Sequence, residues 1–129
     1  MTGKAIYYLL SNAAPVTALV SNRIFPDIAT HDAVYPFIVY GVEGVQPSDT
    51  KDGPSGLDVV QVAVMVYANT YSAAQDIAAK ARTALDRASG TYEGVEVQSI
   101  RFETQASASM NLDKNVYIVE QTYSVREVQ

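Results

Sequence analysis

Side chains that could do chemistry are few in this sequence, and the first to consider is its single histidine. His31 stands next to Asp32, and a histidine with a carboxylate partner forms part of the Ser-His-Asp hydrolase machinery. Adjacent residues on a chain rarely orient one another, and no nucleophile lies in a recognisable turn. We therefore interpret His31 as a solvated loop residue, and we predict no catalytic residues and no enzymatic activity.

A second possibility is a metal site at the carboxylates Asp49, Asp52 and Asp58, which crowd one segment. Their spacing departs from that of an EF-hand loop, and Lys51 stands among them. One histidine and no cysteine are too few ligands for a zinc site. We favour a solvated turn over a cation site, and we predict no metal and no cofactor.

The nine tyrosines could act as stacking platforms for single-stranded nucleic acid. Such platforms need basic neighbours, but the last two predicted strands carry only Arg101 and Arg126. Nine Lys and Arg against 14 Asp and Glu leave a net charge of -5, the wrong sign for holding a phosphate backbone. The tyrosines are therefore assigned to packing and subunit contacts, because they suit half-buried surfaces.

Length and composition predict a single domain over residues 1-129. The chain weighs 13.9 kDa, and 48% apolar residues against 18% charged ones supply enough material for one core. The longest apolar run, from Val62 to Ala68, has the length of a strand, so no membrane partner is expected.

Hydrophobic periodicity predicts which elements would position any site. A short N-terminal helical segment covers residues 3–13 and 16–20, and a long helix begins at a capping box from Ser72 to Gln75 and ends at Gly90. Four strands span 37–45, 58–67, 95–105 and 116–128, with polar connections at 46–57 and 106–115. The predicted fold class is α+β, a mainly antiparallel four-stranded sheet packed against one long helix.

The strand 58–67 is apolar on both faces. Val60, Val62, Val64 and Val66 alternate with Val59, Ala63, Met65 and Tyr67. A sheet with helices on one side normally keeps its other face wet, so the second apolar face is covered either within the fold or by another subunit.

Four stretches of the sequence can be compared with a known family. They are APVTALVSNRIFP at 14–26, YPFIVY at 35–40, DGPSGL at 52–57 with the valine-rich strand and Thr70-Tyr-Ser after it, and VEQTYSV at 119–125. Together they resemble the tail-completion proteins of tailed bacteriophages, a family that includes tail terminators. The resemblance covers nearly the whole chain, and the link 106–115 is its one unmatched part.

The resemblance implies a non-enzymatic structural protein of the virion, assembled in the bacterial host cytoplasm. Such proteins are expected to form a ring, typically hexameric, at the head-proximal end of the tail. The ring sits on the tail tube, ends its growth and offers a surface to the head-side connector protein. DNA passes through the lumen without specific binding, which is consistent with an acidic chain.

Two sets of residues follow from this interpretation. Val59, Gln61, Ala63 and Met65 are predicted at the subunit interface, and Asp49, Lys51 and Asp52 at the ring face or the lumen. Two alternatives stay open: a neighbouring head-tail connector component, and a small dimeric ligand-binding or regulatory domain whose apolar sheet face meets its twin.

Overall fold

A computed structural model describes residues 2–27, 34–50, 53–111 and 115–128. Within these ranges the chain forms three helices and six strands. The helices are α1 Thr2–Ser11, α2 Ala14–Val20 and α3 Tyr71–Leu85. The strands are β1 Ile24–Pro26, β2 Phe37–Thr50, β3 Gly53–Ala68, β4 Gly90–Tyr92, β5 Val95–Asn111 and β6 Asn115–Val128. No helix in the described ranges is long and apolar enough to cross a membrane.

The strands form one curled sheet in the order β1-β2-β3-β6-β5-β4. β1 runs parallel to β2, and every other pairing is antiparallel. The predicted sheet of four strands on one long helix is therefore wrong. The sheet is mixed and has six strands, because two three-residue strands extend its edges, and three short helices accompany it. A strand as short as β4 has no hydrophobic periodicity from which the sequence could predict it.

Both predicted polar connections are largely strand. β2 continues to Thr50 and β3 begins at Gly53, with pairs running from Gln46 and Val59 to Thr50 and Gly53. β5 likewise continues to Asn111, opposite Asn115. The Ser, Gly, Pro and Asp residues of these segments favour turns locally, but pairing with a neighbouring strand decides their conformation.

The helices and one face of the sheet enclose the core. The predicted stripe on α3 is confirmed, since Ala74, Ile77, Ala78, Ala81 and Leu85 are all buried, while Ala88 lies beyond the helix and is only partly covered. The valines at 60, 62, 64 and 66 are buried on the same side, as predicted. α1 and α2 complete this layer with Ile6, Leu10, Val16 and Val20.

The predicted ends of α3 are wrong. Thr70 is the N-cap, and its hydroxyl accepts a hydrogen bond from the Ala73 N–H at 3.2 Å, so the helix begins at Tyr71 and not at a Ser72 capping box. It ends at Leu85, and Gly90 instead opens β4 with φ 137°, a backbone conformation that side chains disfavour.

Candidate interaction surfaces

The search for a site starts from the titratable side chains of the part of the chain that the structure describes. His, Cys, Asp and Glu gather nowhere in a set of three or more that could hold a metal. His31, Lys51 and Asp52 lie outside the described residues. Asp49 lies near the end of β2, and Asp58 is half-buried in β3 opposite Glu127 of β6. The surfaces of the sheet and of α1 therefore become the candidate sites.

The predicted interface residues Val59, Gln61, Ala63 and Met65 lie in one row on β3. They alternate with the core valines and so occupy the sheet face opposite the helices, which we call the outer face. Ala63 is only 7% exposed, and the other three are half-buried. The structure thus brings all four together on a face that no helix covers.

An aromatic cluster extends the outer face towards the start of β2, and sequence reasoning missed it. The Phe37 ring stacks on Tyr67 at 4.8 Å between centroids, with Tyr35 at 5.1 Å and Phe25 at 6.0 Å. Tyr67 in turn reaches the Met65 sulfur at 3.8 Å. Burial raises the pKa of Tyr67, and the nearby Glu120 adds to the effect. The cluster and the β3 row form one apolar stripe, which Glu120, Thr122, Ser124 and Arg126 of β6 border on the same face.

A second candidate surface is a groove of about 650 Å³ between α1 and β2, which we call the tyrosine groove. The Tyr7 ring lies 6.3 Å from that of Tyr40, and Tyr7 and Val42 are 42% and 46% exposed. Burial raises the pKa of Tyr40, followed by the effects of Tyr7 and Asp27. These effects all disfavour the phenolate of Tyr40, so we treat the groove as a packing surface. The adjacent tyrosines Tyr7 and Tyr8 of α1 are the feature of the sequence that could have indicated this groove.

A buried polar network lies under α3. Gln121 of β6 is fully buried, and its amide nitrogen donates to the Ala78 carbonyl and to Gln105 Oε1, both at 2.9 Å. The Tyr123 hydroxyl donates to Gln121 Oε1 at 2.7 Å. These bonds tie α3 to the sheet and satisfy each buried group, so the network is structural.

The whole chain can now be compared with known proteins. The sequence matches the family described as tail completion protein gp17 over residues 4–127. The chain belongs to this family. A chain of a solved structure, "Virion of native gene transfer agent (GTA) particle", superposes with a TM-score of 0.80 at 17% identity, over 96% of this chain and 92% of that one. No curated protein sequence matches. At this identity the structural match shows a shared fold.

Family membership confirms the resemblance found in the four sequence stretches. The protein is a structural tail protein, located in the virion tail.

Proposed function

We propose that copies of this chain close into a hexameric ring that caps the head-proximal end of the tail tube. The ring ends tube growth because one face matches the last tube ring. Its other face admits the head-side connector protein and rejects a further tube ring. DNA passes through the lumen without specific binding, and the chain is proposed to act sterically, with no enzymatic step.

The observation that carries the proposal is the outer face of the sheet. Helices cover one face only, yet the other holds Ala63 nearly buried, Met65 half-buried and the Phe37 cluster beside them. An apolar stripe rimmed by polar residues such as Glu120 and Arg126 is typical of protein contact sites. A contact between this face and a different surface of the next copy is heterologous, and such contacts close into rings when the rotation permits.

Residue roles follow from this placement. Val59, Gln61, Ala63 and Met65 contribute to the subunit interface. Asp49 lies near the end of β2, whose pairing with β3 runs out to Thr50 and Gly53. We assign it to the ring face or the lumen, together with Lys51 and Asp52, which lie outside the described residues.

The first test is the solution mass of the purified protein, alone and mixed with the tail tube protein, measured by light scattering with electron microscopy of the same samples. Six copies of a 13.9 kDa chain weigh about 83 kDa. Closed rings near this mass support the proposal. A fixed dimer under both conditions contradicts it and favours a two-fold regulatory domain.

Met65→Asp tests the outer face. A carboxylate buried without a partner at a contact costs about 3–5 kcal/mol, so subunit association should weaken at least about 100-fold while the subunit stays folded. Ala79→Asp, on the exposed side of α3, is the matched control and should assemble normally. Normal rings from Met65→Asp would show that the outer face of β3 is not the contact.

A further inference from the structure

One side of β2 is paired for only part of its length. β1 covers its first residues, where the Ile38 N–H donates to the Arg23 carbonyl at 3.0 Å and the Asp27 N–H to the Tyr40 carbonyl at 2.7 Å. From Gly41 to Thr50, no strand of the described chain pairs on that side. Within the described residues, the backbone groups there form a free edge.

β5 has a matching free edge on the opposite side of the sheet. Its beginning is covered, because Ile100 exchanges backbone hydrogen bonds with Arg87 and Ala88, and the Phe102 N–H donates to Asp86 Oδ1 at 3.0 Å. From Glu103 to Asn111, no described strand follows on that side. The two free edges are of nearly equal length.

The β5 edge has a bulge and a charge at its first residue, Glu103, but beyond it lacks the features that keep sheet edges from pairing. Residues 104–109 are exposed on both faces, and 104–111 contain no charge and no proline. Natural proteins usually protect such edges with charges, prolines or bulges. The β2 edge is partly protected, by a bulge at Glu43 and by Pro47, so its open part centres on Val42 and Val45. An unprotected edge in a stable protein indicates that something covers it.

The directions of the two strands suit pairing between copies. β2, β3, β6 and β5 are successively antiparallel, so β2 and β5 run in opposite directions. In copies of the same orientation, β5 of one lies antiparallel to β2 of the next, with the helices on the same face. Each edge is free in its C-terminal half, and these two halves lie at opposite ends of the sheet. To pair them, one copy must be shifted along the strand direction relative to the next. Tilted strands in a closed barrel show the same kind of shift.

The tyrosine groove gives a second reason to place β5 on β2. Tyr40, Gly41 and Val42 line it beside the free edge of β2. The helix-side residues of β5 include Gln105 and Ser107, which contact Gln121 and Gln75 of their own chain. A strand added to β2 lies beside this groove, and the small side chains at 106–109 leave room for the groove's exposed Tyr7 and Val42.

We infer that the free edge of β5 in one copy pairs with the free edge of β2 in the next, which makes the sheet continuous around the ring. The inference rests on the proposed ring and adds a contact distinct from the outer face of β3. The partner at both edges is a second copy of this chain.

Engineered disulfides test the pairing, and the chain has no native cysteine to interfere. Val45→Cys is combined in turn with cysteine at Gln105, Ser107 or Ser109. These three positions lie on the helix side of β5, as Val45 does on β2, and they sample three registers of β5 against β2. The protein is oxidised alone and with tail tube protein. We expect one combination to give a ladder of linked chains on non-reducing gels, while each single variant stays unlinked.

The possible outcomes are distinct. Linked dimers from a β5 cysteine alone would show that β5 pairs with its twin, which overturns the inference. Rings of full mass without links in any register overturn it as well but leave the proposed ring intact, whereas the absence of rings under both conditions refutes the proposed function. Ser109→Pro, compared with Ser109→Ala, gives a second readout: assembly should weaken at least about 10-fold, and equal assembly would contradict edge pairing.

Discussion

The hydrogen bond between Tyr123 and Gln121 provides a quantitative test of how α3 is held on the sheet. Both residues are fully buried, and the hydroxyl donates to the amide oxygen at 2.7 Å. Gln121→Met keeps a similar volume but leaves the hydroxyl without an acceptor. Tyr123→Phe leaves the amide oxygen without that donor. Each single change therefore strands a buried polar group, while the double change removes both.

The magnitudes follow from that difference. A stranded buried group costs about 1–3 kcal/mol, so we expect losses in the free energy of unfolding of about 2 kcal/mol for Gln121→Met and about 1.5 kcal/mol for Tyr123→Phe. The double variant should lose about 2 kcal/mol and not the sum of about 3.5, a coupling of about 1.5 kcal/mol. For a chain of this size, Gln121→Met should lower Tm by roughly 8 °C.

The assay is urea unfolding of the four proteins, followed by circular dichroism and repeated as thermal melts. Thr122→Val, on the same strand but on the opposite face, is the control and should change stability by less than about 0.5 kcal/mol. The reasoning would be refuted if the double variant lost the sum of the two single losses to within about 0.5 kcal/mol, because additive losses are typical of independent sites.

Two further predictions concern the same layer of the fold. Burial raises the pKa of Tyr123 above its ordinary 10.0, Asp86 adds to the effect, and Arg82 opposes it. The unfolded chain loses this proton first as pH rises, so the free energy of unfolding should fall above about pH 10, by up to about 1.4 kcal/mol per pH unit. Urea unfolding at about pH 9, 10 and 11 should show a shallower fall for Tyr123→Phe, and equal slopes would contradict this cause. At the start of α3, Thr70→Ala should cost about 1 kcal/mol and Ser72→Ala less than about 0.5 kcal/mol in the same assay, whereas the reverse order would restore the capping box at Ser72.

The sequence predicted the elements that bury a regular stripe. The valines of β3 and the alanine stripe of α3 repeat at strand and helix periods, and both lie where those periods put them. The row from Val59 to Met65 follows from the same alternation, so its place on the outer face was predictable, while its role as an interface stays a prediction. Gln121 also lies at a core position of β6. A pattern of apolar residues does not predict its burial, because its side chain is polar.

The rest of the fold depends on contacts between distant segments. Residues 46–57 favour turns by composition, and pairing such as Gln46 with Val59 makes most of them strand. Phe25, Tyr35, Phe37 and Tyr67 meet only because β1, β2 and β3 lie side by side. The free edges of β2 and β5 are equally a property of strand order, which local patterns do not contain.

The position of β6 has a consequence for how the protein is made. β6 follows all other elements in the chain, yet it lies in the middle of the sheet, paired with β3 on one side and β5 on the other. During synthesis, β1 to β3 and β4 to β5 stay separate until β6 has left the ribosome. Such long-range pairing is slow compared with helix formation. The continuous six-stranded sheet therefore forms only after the last strand of the chain has been synthesised.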